Sequence, residues 1–359
     1  MKNRKKEILI VAQYPEKISP NQRFRFELYK NLLAENGFAV TIDSFINKKD
    51  YEIIHKKGYF FHKFWAVVKG YFKRAGLLFK IKKYSYVFLQ REATPLGPPI
   101  FEWLYIKVYS KKLIYDFDDA IWLSNPSEHN SLSYILKNPG KVKAICKWAY
   151  KVSCGNEYLC NYAKQYNSNV VYNPTCVDTE KRHNIISNHN VSKITIGWTG
   201  TFSTLKYLDI VIPSLKKLQE KYDFNIKIIC NQKPLFDLSN LFYVEWTERN
   251  EVAELASCQI GLMPLTSDEW SEGKCGFKLI QYLSLGIPAV SSPVGVNKEI
   301  IEHGKNGFLC TSDEEWYNAI EKLIIDGGLR QKMGEEGRKK IINEYSMLSN
   351  KENFLRLFS

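Results

Sequence analysis

Short, continuous apolar runs alternate with longer amphipathic stretches along most of the chain. The runs Ile8 to Gln13, Ala39 to Ser44, Tyr86 to Gln90, Leu113 to Asp116, Val152 to Cys154 and Val170 to Tyr172 read as strands. Ile8 to Ala12 has no polar break, which marks a strand buried on both faces. Between the runs, apolar residues recur at helical spacing around Arg23 to Asn36, Phe64 to Lys83, Phe101 to Ser110 and Lys141 to Tyr150. Such β-α alternation predicts a mostly parallel sheet with helices on both faces.

The polar stretch Asp178 to Ser192 interrupts the pattern, and then it resumes. Predicted strands fall at Ile194 to Thr199, Asn225 to Cys230, Phe242 to Glu245, Ile260 to Met263 and Ala289 to Ser292. Helices fall at Leu205 to Tyr222, Glu251 to Ser257 and Gly276 to Leu285, followed by charged amphipathic helices at Glu314 to Ile325, Gly328 to Tyr345 and Met347 to Phe358. The expected architecture is α/β: two Rossmann-like doubly wound domains, 1–180 and 181–346, with strand C-terminal ends and their loops facing one cleft. A chain of 359 residues is long enough for two cores.

Composition narrows the class. With 45% hydrophobic and 25% charged residues the chain reads as a globular protein. No apolar stretch reaches the roughly 18 residues of a membrane-spanning helix, and Ile8 to Ala12 is too short for a secretory h-region, so a cytoplasmic protein is expected. Eight single cysteines without a C-x-x-C pair point to reduced, buried thiols rather than zinc or disulfides. The net charge of +13 is uneven: residues 51–100 hold ten basic residues against Glu52 and Glu92. A helix over His62 to Lys83 would place Phe64, Val68, Tyr71, Ala75 and Leu78 on one face and Lys63, Lys73, Arg74 and Lys80 towards the other. It fits either an anionic membrane surface, reached through residues 62–83, or a solvated helix packed by its apolar face. No groove-reading or base-stacking motif accompanies the charge, so nucleic acid is not expected as a partner.

The most informative segment is 272–295, EGKCGFKLIQYLSLGIPAVSSPVG. A helix beginning near Gly276 would direct unsatisfied amides and their partial positive charge at a phosphate. Lys278 and Gln281, three apart, share a face, with Leu279, Ile280 and Leu283 turned inward. A second Gly-containing loop, Ile196 to Lys206, offers Gly200 for close backbone approach, Thr201 or Ser203 as a helix cap and Lys206 as a point charge. Trp246, after the strand ending at Glu245, is either a stacking face for a base or a core residue. In the first half, Arg23 and Arg25 follow the first strand, Arg91 follows the third, and Asp116, Asp118 and Asp119 end the fourth.

Residues 272–295 resemble the donor-binding motif of glycosyltransferase family 4: an acidic residue, a Gly-containing turn, a helix with a second acidic residue, then Gly-x-Pro and a strand. Two departures stand out. Gln281 occupies the place of the usual ribose-binding glutamate, and by strict spacing the first glutamate falls on Gly273, one residue after Glu272. The resemblance implies a GT-B type fold and a retaining, metal-independent hexosyltransferase that needs no cofactor. It would move sugar from a nucleotide-sugar to a glycan or lipid-linked glycan in cell-surface polysaccharide assembly, at the inner face of the membrane. It places Lys206, Lys274 and Lys278 at the diphosphate, with the Gly200-Thr201 loop, and Gln281 at the ribose. Trp246 falls at the base, and Glu272, Gly276 and Phe277 at the donor sugar. Asp118 or Asp119 would orient the reacting groups. Arg23 and Arg25 would face the cleft, to bind an acceptor phosphate or the donor diphosphate, and Arg91 would face the acceptor. The Asp-x-Asp spacing also matches divalent-metal sites of sugar transferases of another fold, which the doubled β-α pattern opposes. The final helix would cross back to the first domain. Two alternatives stay open: a degenerate binding scaffold, and a two-Rossmann epimerase or phosphorylase.

Overall fold

The computed structural model describes residues 6–54, 56, 58–123 and 138–359. Among these, twelve strands form two six-stranded parallel sheets. The first comprises β1 (Lys6–Ala12), β2 (Phe38–Ser44), β3 (Tyr86–Gln90), β4 (Lys112–Phe117), β5 (Lys151–Cys154) and β6 (Val170–Tyr172), in the order β2-β1-β3-β4-β5-β6. The second comprises β7 (Thr195–Thr199), β8 (Asn225–Cys230), β9 (Leu241–Glu245), β10 (Ile260–Met263), β11 (Ala289–Ser291) and β12 (Gly307–Leu309), in the order β12-β11-β10-β7-β8-β9. The strand order reverses direction between β1 and β3 in one sheet and between β7 and β10 in the other. In doubly wound sheets, ligands bind outside the strand C-termini at these reversals.

The chain divides into two compact units, Met1–Pro174 with Lys351–Ser359, and Thr175–Asn350. The first-unit core centres on Ile8 to Ala12, all solvent-inaccessible, and takes in the end of the chain. Phe354 stacks on Tyr29 with ring centroids 4.0 Å apart and approaches Phe88 at 6.1 Å. Asn353 Nδ2 donates to the Tyr172 carbonyl at 2.8 Å. Met347 to Asn350 stay with the second unit, where Val177 bridges to Ser346 and the Met347 amide donates to Val177 O at 2.9 Å.

Element boundaries differ from the sequence expectation where local chemistry intervenes. The helix expected over Leu205 to Tyr222 is a 3-10 segment Phe202–Ile210 followed by an α-helix Ile212–Gln219, because Pro213 lacks an N–H to continue the ladder and favours a helix start. Helix Phe60–Leu78 forms, but with another face inward: Ala66, Gly70, Arg74 and Leu77 are buried, while Phe64 is exposed. Gly70 allows this contact, since a Cβ there would lie 2.5 Å from the Phe45 ring. Arg74, expected outward, is fully buried; it pairs with Asp43 and donates to the carbonyls of Ala12 at 2.7 Å and Ala93 at 2.9 Å. All eight cysteines are buried thiols.

In the second unit, helix Phe277–Ser284 lies between the sheet and helix Gly327–Lys340. Glycines make the approach possible. A Cβ at Gly261 would meet the Tyr282 ring at 2.5 Å, one at Gly337 would meet Leu283 at 2.6 Å, and one at Gly334 would meet the Gly286 carbonyl oxygen at 2.0 Å.

Candidate functional site

At the reversal point of the second sheet, the β7-β10 ladder runs only over Ile196-Gly197 and Ile260-Gly261. Beyond it, the Tyr282 hydroxyl accepts the Thr199 N–H at 3.1 Å and donates to the Leu262 carbonyl at 3.3 Å. One helix side chain thus ties the ends of both strands, and it fixes helix Phe277–Ser284 against the loop that follows β7.

That loop begins at Gly200, where a Cβ would lie 2.4 Å from the Trp198 indole. Its amides are engaged within the protein: Gly200 donates to Ile229 O at 3.1 Å, Thr201 to Thr204 Oγ1 at 3.2 Å and Phe202 to Asn231 Oδ1 at 2.8 Å. The polar surface left to the loop is the Thr201 and Ser203 hydroxyls, 2.9 Å apart, and exposed Lys206.

Helix Phe277–Ser284 starts from Gly276 at φ +64°, where a Cβ would lie 2.2 Å from Ile300, so only glycine fits both backbone and space. Its ladder opens with Ile280 N–H donating to Gly276 O at 3.1 Å. The amides of Phe277, Lys278 and Leu279 precede that ladder and carry the positive end of the helix. Lys278 Nζ lies 5.6 Å from the Trp198 ring centroid. Burial raises the nearby Cys230 thiol pKa, and the Lys278 charge opposes that shift. Trp198 is therefore a floor shared by the Gly200 loop and the Lys278 ammonium.

Glu272 ends the short helix Glu269–Glu272, whose cap Asp268 accepts the Ser271 N–H at 2.8 Å. The Glu272 backbone packs on Gly295, where a Cβ would sit 2.9 Å from its carbonyl oxygen. Lys274 Nζ lies 4.8 Å over the Trp270 ring. Gln281 is 1% exposed, and among the described residues its Nε2 has no hydrogen-bond partner. Ser291 Oγ and Asn297 Oδ1 are likewise buried without a partner among the described residues; the buried Ser271 hydroxyl lies against the Asp268 carboxylate. An unmet buried polar atom costs about 1–3 kcal/mol, so the Gln281, Ser291 and Asn297 atoms are candidates for bonds to water or to a bound molecule. Sequence reading missed Ser271, Ser291 and Asn297, as well as Tyr282, Trp198 and Asn231. For all but Asn231 the signal was their place within or beside the two Gly-containing loops.

Trp246 is anchored: its indole N–H donates to Glu251 at 3.2 Å, and Glu251, 2% exposed, also accepts from Arg182 at 3.1 Å. It remains partly exposed at the end of β9.

In the first unit the sequence-predicted residues separate. Arg25 does not present its charge to solvent: it is fully buried, donates to Asp116 Oδ2 at 3.2 Å and to the Asn173 carbonyl, and Asp116 also accepts from Ser153 Oγ at 2.6 Å. That charge, at 0% exposure, holds β4, β5 and the chain beyond β6 together. Arg23 is nearly buried, its guanidinium 4.7 Å over the Phe24 ring. Arg91, Asp118 and Asp119 do come together at the C-terminal ends of β3 and β4. Arg91 adopts a left-handed backbone at φ +62°, its N–H donates to Asp116 O at 2.8 Å, and its guanidinium donates to Asp118 at 2.8 Å and to Asp119. Burial alone would lower the Arg91 pKa, but the two carboxylates raise it above its usual value. Burial raises the Asp118 pKa, Arg91 opposes, and Asp119 adds to the rise, as befits two carboxylates sharing one cation. Beside them, Glu92 accepts from Gln13 at 2.7 Å and pairs with Lys141 at 2.5 Å.

Residues 193–326 match the family model described as Glycosyl transferases group 1. Over 100 residues, 27% of this chain, the sequence is 30% identical to N-acetyl-alpha-D-glucosaminyl L-malate synthase of Bacillus anthracis; the match spans a quarter of that protein's length. Among solved structures, sucrose-phosphate synthase from Thermosynechococcus elongatus superposes with a TM-score of 0.66 at 11% identity, over 98% of each chain. Anabaena HepE in complex with UDP and glucose also gives 0.66, at 13% identity, over 98% of this chain and 99% of its own. The fold is of the GT-B glycosyltransferase type. The part that matches the glycosyl transferases group 1 model includes every residue of the second unit that the resemblance places at a donor.

Proposed function

We propose that this protein is a glycosyltransferase that moves a hexosyl group from a nucleotide-sugar to a carbohydrate or lipid-linked carbohydrate acceptor. Transfer proceeds with retention and without a metal, in cell-surface polysaccharide assembly at the cytoplasmic face of the membrane. The observation that carries the reading is Gln281: a buried amide donor without a protein partner, in the helix that also presents Lys278, inside the matched domain. Its Nε2 donates to a ribose hydroxyl. The helix amides at Phe277 and Lys278, the Lys278 ammonium, and Lys206 and Lys274 meet the charge that develops on the leaving diphosphate. Glu272 accepts from a sugar hydroxyl. Asp118, Asp119 and Arg91 supply the polar surface for the acceptor, the arginine holding both carboxylates in place. The solved complex of HepE with UDP and glucose supports a uridine donor.

A thermal-shift panel of nucleoside diphosphates and their sugars tests the donor site: one base should stabilise the protein, and indifference to all would overturn the reading. Lys278→Ala should lower turnover by about a hundredfold, the range seen when one charge-stabilising donor is removed. Stabilisation by a nucleotide-sugar with no transfer or hydrolysis would instead identify a binding scaffold.

A further inference from the structure

Helix Phe60–Leu78 has two apolar faces, and the described residues cover only one. Ala66, Gly70, Arg74 and Leu77 are turned into the first unit. At helical spacing on the opposite side stand Phe61, Trp65 and Phe72, with Phe79 just past the helix end; they are 85%, 56%, 73% and 91% exposed. Phe64, 61% exposed, widens the stripe. Lys69 and Lys80 are exposed along one flank of it. Lys73, on the same flank, lies 3.5 Å from Asp43 and donates to the Ser44 carbonyl. No carboxylate occurs in the sequence between Glu52 and Glu92. No helix among the described residues is long and apolar enough to cross a membrane.

We infer that this stripe docks the first unit on an anionic phospholipid surface, with the helix lying in the interface plane. The chemistry fits that occupant. Aromatic rings enter the boundary between headgroups and acyl chains, and lysines beside them stay at the level of lipid phosphates. A second copy of the chain fits poorly, because a self-complementary interface would set the same lysines against each other with no acid on either helix to offset them. The inference deepens the membrane part of the proposed function and requires nothing of the donor site.

Cosedimentation of the full chain with vesicles, without nucleotide, tests it. Vesicles of mixed phosphatidylcholine and phosphatidylglycerol should bind the protein at least about tenfold more tightly than phosphatidylcholine alone, with the difference fading in high salt. The combined change Phe61→Ser, Trp65→Ser, Phe72→Ser and Phe79→Ser should reduce binding at least about tenfold. It should leave the circular dichroism spectrum unchanged, since all four side chains are exposed. Brominated lipid should quench wild-type tryptophan fluorescence, and Trp65→Phe should remove most of that quenching. Equal binding by wild type and the fourfold variant would overturn the proposal. So would a dimer in sedimentation that the same substitutions dissociate while vesicles bind neither form.

Discussion

At the scale of single residues, spacing along a helix was easier to read than burial. Lys278 and Gln281 were legible because their spacing on a short helix after a Gly turn constrains them to one face. The burial of Arg25 was not legible, for the opposite reason. Its partner Asp116 lies 91 positions away, and nothing local distinguishes a buried arginine from a ligand-facing one. The unmet Nε2 of Gln281 makes a two-sided prediction. Gln281→Leu removes a buried donor that the unliganded protein leaves unpaired, so stability should stay within about 1 kcal/mol of wild type or rise. The same change should weaken nucleotide binding about tenfold, the worth of one hydrogen bond to a hydroxyl. Thermal melting with and without the stabilising nucleotide separates the two effects. A fall in unliganded stability by several kcal/mol would mean that the amide has a structural role instead.

At the scale of elements, periodicity located strands and helices well but left helix faces undecided. Helix Phe60–Leu78 shows why: with apolar residues on both sides, the sequence pattern is symmetric, and the choice fell to the close approach at Gly70 and to the bonds of Arg74. Proline and glycine positions explain the other departures, including the break at Pro213. Two glycines make the point testable. In a helix interior Ala is favoured over Gly by about 1 kcal/mol. At Gly76 nothing lies within 4 Å of an added Cβ, so Gly76→Ala should stabilise by about 0.5–1 kcal/mol. At Gly334 the added Cβ would sit 2.0 Å from the Gly286 carbonyl oxygen, and Gly334→Ala should destabilise by about 1–3 kcal/mol despite its helix propensity. Melting temperatures of opposite sign would confirm that packing rather than propensity governs helix Gly327–Lys340. That contact matters for the site, because Gly286 ends the helix carrying Lys278 and Gln281.

At the scale of the whole molecule, the two units have separate cores, and the end of the chain belongs to the first. Phe354→Ala removes a fully buried ring between Tyr29 and Phe88 and should cost the first unit about 3–5 kcal/mol. Calorimetry should then show the transition of the first unit moving down by several degrees while nucleotide still stabilises the second. A uniform shift of both would show that the units unfold as one. The repeated β-α alternation, two Gly-containing loops and an uneven basic charge were written in the sequence, because each depends on residues close together along the chain. The burial of Arg25 and Arg74, the tie that Tyr282 makes between β7 and β10, the unmet amide of Gln281 and the exposed aromatic stripe were not. Each depends on which residues, tens of positions apart, come within a few ångströms, and that only the packed structure decides.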